Sequence, residues 1–466
     1  MLFSSIVFLF TFLPITLLLY YLVPRKAKNA VLLIASLIFY AWGEPVYIFL
    51  MIISILFNYF SGLDIALKAG KKKACRKSLI FTIVVNLFIL GFFKYYGFVV
   101  ENLNAVLPFD IPYRELALPI GISFYTFQTL SYIIDLYRGR VQVQVNLIDF
   151  GAYVTMFPQL IAGPIVCYKE VEEQLANRKE SLAKFGQGAA VFIAGLAKKV
   201  LLANTVGAIY EEVAAMSGRS VLTAWIGCLA YTFQIYFDFS GYSDMAVGLG
   251  KMFGFDFPQN FHYPYISGSV TEFWRRWHMT LGGWFREYVY IPLGGNRVSA
   301  PRHLMNLMVV WFLTGLWHGA SWNFVTWGLY YGVILIIEKY VTGRLLEKLP
   351  EGIRILYNML LVMVGWVLFF SPDLGSALTY LGQMFGSGVS GIVDRQALYL
   401  IVTHWLLWLM LIVGSTPVMH RLGQVVLYDE ERPAVGVSAV LYAGMFFLSI
   451  AYLVTESYNP FLYFRF

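Results

Sequence analysis

Charge is scarce in this chain: Asp, Glu, Lys and Arg make up 13% of its 466 residues, about half of what a soluble domain carries. With 59% hydrophobic residues and a mean hydropathy of +0.66, an ordinary water-soluble domain is excluded and a polytopic membrane protein is left. Cysteine is scarce too. Cys75, Cys167 and Cys228 share no metal-ligand spacing and cannot all pair with one another, so neither a disulfide framework nor a zinc site is supported. There is no Gly-x-Ser-x-Gly elbow and no phosphate loop. There is also no internal repeat or low-complexity segment, and the missing symmetry weighs against an inverted-repeat transporter.

Aromatic residues, by contrast, reach 18%, more than a lipid-facing surface needs, so many should line helix contacts, interfacial belts or a cavity. The net charge of +7 sits in short loops such as Arg25 to Lys28 and Lys71 to Lys77. That is the positive-inside pattern, for which anionic lipid headgroups are sufficient partners and no nucleic acid is needed. The first apolar segment, Ser5 to Val23, lacks a basic leader and a small-residue cleavage site. It is expected to stay attached, with the N-terminus outside and Arg25 to Lys28 in the cytoplasm.

Apolar segments fall at 5–23, 30–42, 46–67, 78–100, 116–137, 147–165, 187–207, 220–237, 304–317, 321–341, 354–370, 397–414 and 434–454. About eleven are expected to cross the membrane, with re-entrant or interfacial helices between them. Several are interrupted: 30–42 ends at Gly43-Glu44-Pro45, and Pro119 stands inside 116–137. Broken helices at membrane depth are tolerated where protein or a cavity covers the freed backbone, which points to an enclosed pocket. Whether 147–165 and 238–254 cross or re-enter stays open. The mixed-charge stretch Lys169 to Lys184 reads as a solvated interfacial helix.

Two histidines stand out in these apolar surroundings, because a buried imidazole is costly and titrates near neutrality. His278 closes Phe273-Trp274-Arg275-Arg276-Trp277-His278, and His318 sits in Leu316-Trp317-His318-Gly319-Ala320. On a helix starting near Val270, the residues Phe273, Trp277, Leu281 and Trp284 recur at four, four and three and form one apolar stripe, with His278 at its edge. That stripe equally suits an amphipathic interfacial helix whose arginines meet lipid phosphates. His318 lies at an expected bend between two apolar runs. Asp238 and Asp244, in Tyr236 to Asp244, could orient an imidazole or pair with Arg275, Arg276 or Arg286. His262, His303, His404 and His420 adjoin interfaces or span ends, where histidines are commonly bland. Gly248 and Gly250 suit close helix packing better than nucleotide binding.

These motifs, with Phe157 to Ile165, Pro258 to Arg297 and the tail Pro460 to Phe466, resemble the membrane-bound O-acyltransferase family, within it the bacterial alginate and peptidoglycan O-acetyltransferase branch. The likeness covers most of the chain, which reads as one domain over 1–466 with its core motifs in 157–342. It implies an all-α ring of helices around a central funnel in the bacterial cytoplasmic membrane. It also implies His318 as the catalytic residue and His278 as the second functional position. Trp274, Trp277, Trp317, Asp238 and Asn323 are expected in the pocket, with Arg275, Arg276 and Arg286 available for donor phosphates. One departure is His262, where relatives usually show asparagine. Teichoic acid D-alanyltransferases share the Phe-Trp-Arg-Arg-Trp-His run, but Tyr290 to Arg297 looks like the acetyltransferase branch.

Acyl transfer from a thioester to a hydroxyl suits such residues. His318 is expected to act as base and His278 to orient the acyl carbonyl or the acceptor, while the tryptophans exclude water. An acyl-histidine stays open. The resemblance implies acetyl-CoA, or another acyl thioester, as donor without a permanently bound cofactor or metal. It implies, too, an extracytoplasmic SGNH-type acetyltransferase partner and a polysaccharide acceptor. The alternatives are D-alanyl transfer and, from another class, a transporter using the histidines and Asp238 as a proton relay.

Overall fold

The computed structural model describes residues 1–114, 116–160, 163–419, 421, 435–455, 458–460 and 462. Ile161, Ala162, His420, Phe461 and the tail from Tyr463 to Phe466 lie outside them. Among the described residues every regular element is helical, as expected of a multi-pass membrane protein. Six helices are long and apolar enough to cross a membrane, and a seventh span results if Arg395–Thr403 and Trp405–Gly414, bent by 65°, count as one. The other apolar segments form shorter or more polar helices.

The backbone divides into two compact units, 1–192 with 243–258 and 193–242 with 259–466. The first contains α1 (Leu13–Leu22), α2 (Lys28–Gly43), α3 (Ile48–Leu67), α4 (Lys72–Asn104), α5 (Ile122–Tyr137) and α6 (Tyr168–Asn177). The break expected around Pro119 is there: α5 begins only at Ile122, after Gly121 at φ 75°. The segment 147–165 is not one rod, because Leu147–Thr155 ends at Met156 and a single turn, Phe157–Leu160, follows. Phe157 packs into a fully buried aromatic core with Phe3, Phe8 and Phe39. Polar groups in this unit are bonded across helices. Asn58 and Asn86 exchange amide hydrogen bonds of 3.0 and 2.9 Å between α3 and α4. Arg178, just past α6, donates to the Tyr20 hydroxyl, the Asn29 side chain and the Phe253 carbonyl. The helix read as interfacial thus buries one side, Tyr168, Val171 and Leu175.

Two long helices contribute to both units: α7 (Leu182–Ala214) and α8 (Val221–Met252). The polar run Asp238 to Asp244 does not interrupt α8. The second unit continues with α9 (Val270–Arg276), α10 (Met279–Phe285), α11 (Ala300–His318), α12 (Trp322–Ile337) and α13 (Glu351–Phe370). Helices α11 and α12 form a tight hairpin: a Cβ at Gly315 would strike the Phe324 carbonyl, and one at Gly328 the Trp311 carbonyl. That contact of backbones fixes where the hairpin turns, and His318 is the last residue before the turn.

The continuous stripe-bearing helix expected from 270 to 284 is two helices. Trp277 is extended (φ −105°, ψ 128°) and His278 is left-handed (φ 45°, ψ 52°). The backbone at 260–262 takes the groups freed by the break: the Met279 N–H donates to the Asn260 carbonyl, and the His262 N–H to that of Arg276, both at 2.9 Å. Ser269 caps α9 through the Glu272 N–H, and the buried Glu338 carboxylate accepts from the Val270 and Thr271 N–H groups. The stripe residues remain buried on both sides of the break, so the apolar stripe faces the protein interior.

Candidate active site

The break in the 270–285 segment and the turn of the α11–α12 hairpin bring His278 and His318 onto the wall of one cavity of about 1170 Å³ in the second unit. Both imidazoles are buried, at 2% and 8% exposure. The Trp317 indole lies edge-on to each, with ring centroids 6.0 Å from His278 and 4.9 Å from His318. His318 is further enclosed by Trp327 and Phe369, and His278 by Phe239. Aromatic walls exclude water and lower the local dielectric, which strengthens any polar contact a substrate makes there.

The polar surroundings of His278 are specific. Its Nδ1 lies 3.1 Å from the Asn260 side-chain oxygen, which also accepts from the Thr280 hydroxyl at 2.9 Å and the Thr280 N–H at 3.3 Å. Its Nε2 is buried and has no hydrogen-bond partner among the described residues. Burial pushes this imidazole down to about 3, so it is neutral at working pH.

Exposed Arg275, Arg286, Arg297 and Lys339 also line the cavity, with Glu347 the exposed carboxylate among them. The resulting excess of positive charge favours anionic ligands. Buried His303 also lines the cavity; Tyr290 holds its Nε2 at 2.9 Å and Tyr340 its Nδ1 at 2.8 Å. Burial, and then the nearby Lys339, keeps His303 below the ordinary imidazole range.

Of the residues singled out from sequence, His278, His318, Trp274, Trp277, Arg275 and Arg286 share this cavity. Trp317 packs behind it. Arg276 turns to Glu272 in a 2.6 Å ion pair one turn away. Asn323 does not line it; it ties the start of α12 to the Ser371 carbonyl at 2.9 Å. Asp238 pairs with none of the three arginines. It meets Lys199 at 2.7 Å, its second oxygen accepts the Leu462 N–H, and it borders a void of about 20 Å³ with Trp277 and His318. That void is large enough for one water. Asp244 belongs to the first unit, and His262 is exposed.

Asn260, Lys199, Arg297 and Lys339 were not singled out from the sequence, and His303, set aside there as bland, lines the cavity. A lysine inside the apolar run 187–207 was itself a signal, because intramembrane charges need partners. Asn260 lies within the dense Pro258 to Tyr265 motif, but nothing local announces that it reaches His278.

Comparison with known proteins bears on this arrangement. Residues 139–372 match the family model described as "MBOAT, membrane-bound O-acyltransferase family". The chain is 40% identical over 502 residues to the probable alginate O-acetylase AlgI of Azotobacter vinelandii, over the full length of both. It is 36% identical to the peptidoglycan O-acetyltransferase of Helicobacter pylori, covering 84% of this chain and 81% of that protein. A teichoic acid D-alanyltransferase of Streptococcus thermophilus is 31% identical over 47% of this chain and 56% of its own length.

Proposed function

The chain belongs to the membrane-bound O-acyltransferase family and is an O-acyltransferase; on that premise we propose that it takes acetyl from cytosolic acetyl-CoA and passes it across the membrane for O-acetylation of an extracytoplasmic polysaccharide. The observation that carries this reading is one cavity lined both by two buried imidazoles and by exposed cations. A thioester bearing phosphates suits both sets: Arg275 and Arg286 meet the phosphates while the acyl group reaches the histidines. One imidazole takes the hydroxyl proton and the second meets the acyl group or the acceptor. His318, singled out by its Trp-His-Gly motif, is needed in either division. The tryptophan walls protect the thioester from hydrolysis.

In this reading the protein sits in the bacterial cytoplasmic membrane with its N-terminus outside, and an SGNH-type acetyltransferase completes delivery to the polymer. The test uses proteoliposomes given labelled acetyl-CoA on the cytoplasmic side. Label is expected on an outward-facing acceptor only when the partner enzyme is present, and His318→Ala should abolish transfer while the protein stays folded. Acetylation of a cytoplasm-facing acceptor alone overturns the relay, and normal turnover by His318→Ala removes that residue from the chemistry. A D-alanyl thioester as competing donor separates the acetyl from the D-alanyl reading.

A further inference from the structure

We propose that the void of about 20 Å³ beside His318 is the acyl subsite of the transfer, that it admits the methyl of an acetyl group and nothing longer, and that Ile235, Trp366 and Phe369 set this limit. The inference rests on the proposed thioester donor and adds to it the size of acyl group the chain accepts.

His318 and Trp277 line both the large cavity and this void, so the two spaces meet at those side chains. What surrounds them differs. The large cavity carries exposed cations, whereas every described residue lining the void is buried. Its walls include Ile235 and Phe239 from α8 and Trp366 and Phe369 from α13.

Size and lining together select the occupant. A space of about 20 Å³ holds one group of water or methyl size. A resident water makes about two to four hydrogen bonds. Among the described lining residues only His318 and Asp238 are polar, and the Asp238 oxygens are already engaged by Lys199 and by the Leu462 N–H. The rest of the lining is aromatic or aliphatic and suits an apolar group better. An acyl group seated with its methyl in the void has its carbonyl carbon next to His318, the position an attacking hydroxyl must reach.

The rings of the wall hold one another in place. Trp366 packs on Trp277 with centroids 4.9 Å apart and on Phe369 at 5.5 Å, and Phe369 packs on His318 at 5.3 Å and on Trp327 at 5.2 Å. A core interlocked in this way resists an added methylene, because no single ring can shift alone. Ile235 is the wall residue of α8 that can be shortened without removing a ring.

The test measures kcat/KM for acetyl-CoA and propionyl-CoA, read as CoA release in the reconstituted transfer assay. Wild type is compared with Ile235→Ala, Phe369→Leu and, as control, Val362→Ala, which is fully buried on α13 but does not line the void. The ratio of the two donors is independent of the folded fraction, since loss of folded protein lowers both alike. Wild type is expected to favour acetyl by about 10- to 200-fold, the discrimination one methylene commands in an apolar pocket. Ile235→Ala is expected to lower that ratio by about tenfold or more, Phe369→Leu by less, and Val362→Ala not at all. A wild type that uses both donors equally, a ratio that Ile235→Ala leaves unmoved, or one that Val362→Ala moves as far, overturns the proposal. Should Ile235→Ala fail to fold, the shorter cut Ile235→Val is read in the same way. Transfer of neither acyl group from CoA by wild type overturns the donor reading and the inference with it, whereas acetyl transfer with an unmoved ratio overturns the inference alone.

Discussion

Lys199 and His278 are both buried in the second unit, at 1% and 2% exposure, but their surroundings differ in kind. The Lys199 ammonium donates to the Asn204 side chain at 2.7 Å and to the Pro460 carbonyl, and it forms an ion pair with the Asp238 carboxylate at 2.7 Å. The second oxygen of Asp238 is taken by the Leu462 N–H. Every strong donor of that lysine is spent inside the protein. His278 has one nitrogen held by Asn260 and the other buried with no hydrogen-bond partner among the described residues. Buried polar groups are normally satisfied, and an open one calls for an explanation. The closed cluster is therefore read as architecture and the open one as chemistry.

The sharpest way to break this contrast is Lys199→Met, which strands the Asp238 carboxylate. It should cost about 3–5 kcal/mol of stability, seen as loss of monodisperse protein in detergent, and Asp238→Leu added to it should recover most of the loss. A lysine variant as stable as wild type would place Lys199 with the functional groups instead. Smaller is the effect of acid. His278 is neutral in the fold, with its value lowered by burial to about 3. The unfolded chain then binds more protons below about pH 6.5. Stability should therefore fall as pH drops from that point, by at most about 1.4 kcal/mol per unit. Thermal midpoints of wild type and His278→Gln across pH should diverge in that window. The smallest effect belongs to His303, closed by two tyrosines like Lys199 by its acceptors. Tyr290→Phe should lower stability by about 1 kcal/mol with transfer retained, and a collapse of transfer would move His303 to the functional side.

Much of the molecule was legible in advance. Composition gives the membrane class, Pro119 and Gly121 mark the broken start of α5, and the Trp-His-Gly motif marks the hairpin turn. The break at Trp277 and His278 was not legible, because Phe273, Trp277, Leu281 and Trp284 have spacing that suits one helix. What overrides that local periodicity is backbone pairing with residues 260–262, a contact between positions well apart in sequence. The partner of Asp238 escaped for the same reason: three arginines lie closer along the motifs than the lysine that meets it.

His278 holds φ 45°, a conformation glycine adopts freely and a side chain resists by about 1–2 kcal/mol. Glycine there would leave the chain at greater ease. Selection for robustness alone would thus tend to erase the imidazole, and a variant of this protein evolved only for heat tolerance would be at risk of trading away its reaction first. On the proposed reading, the histidine persists against the preference of its own backbone because the chemistry requires it.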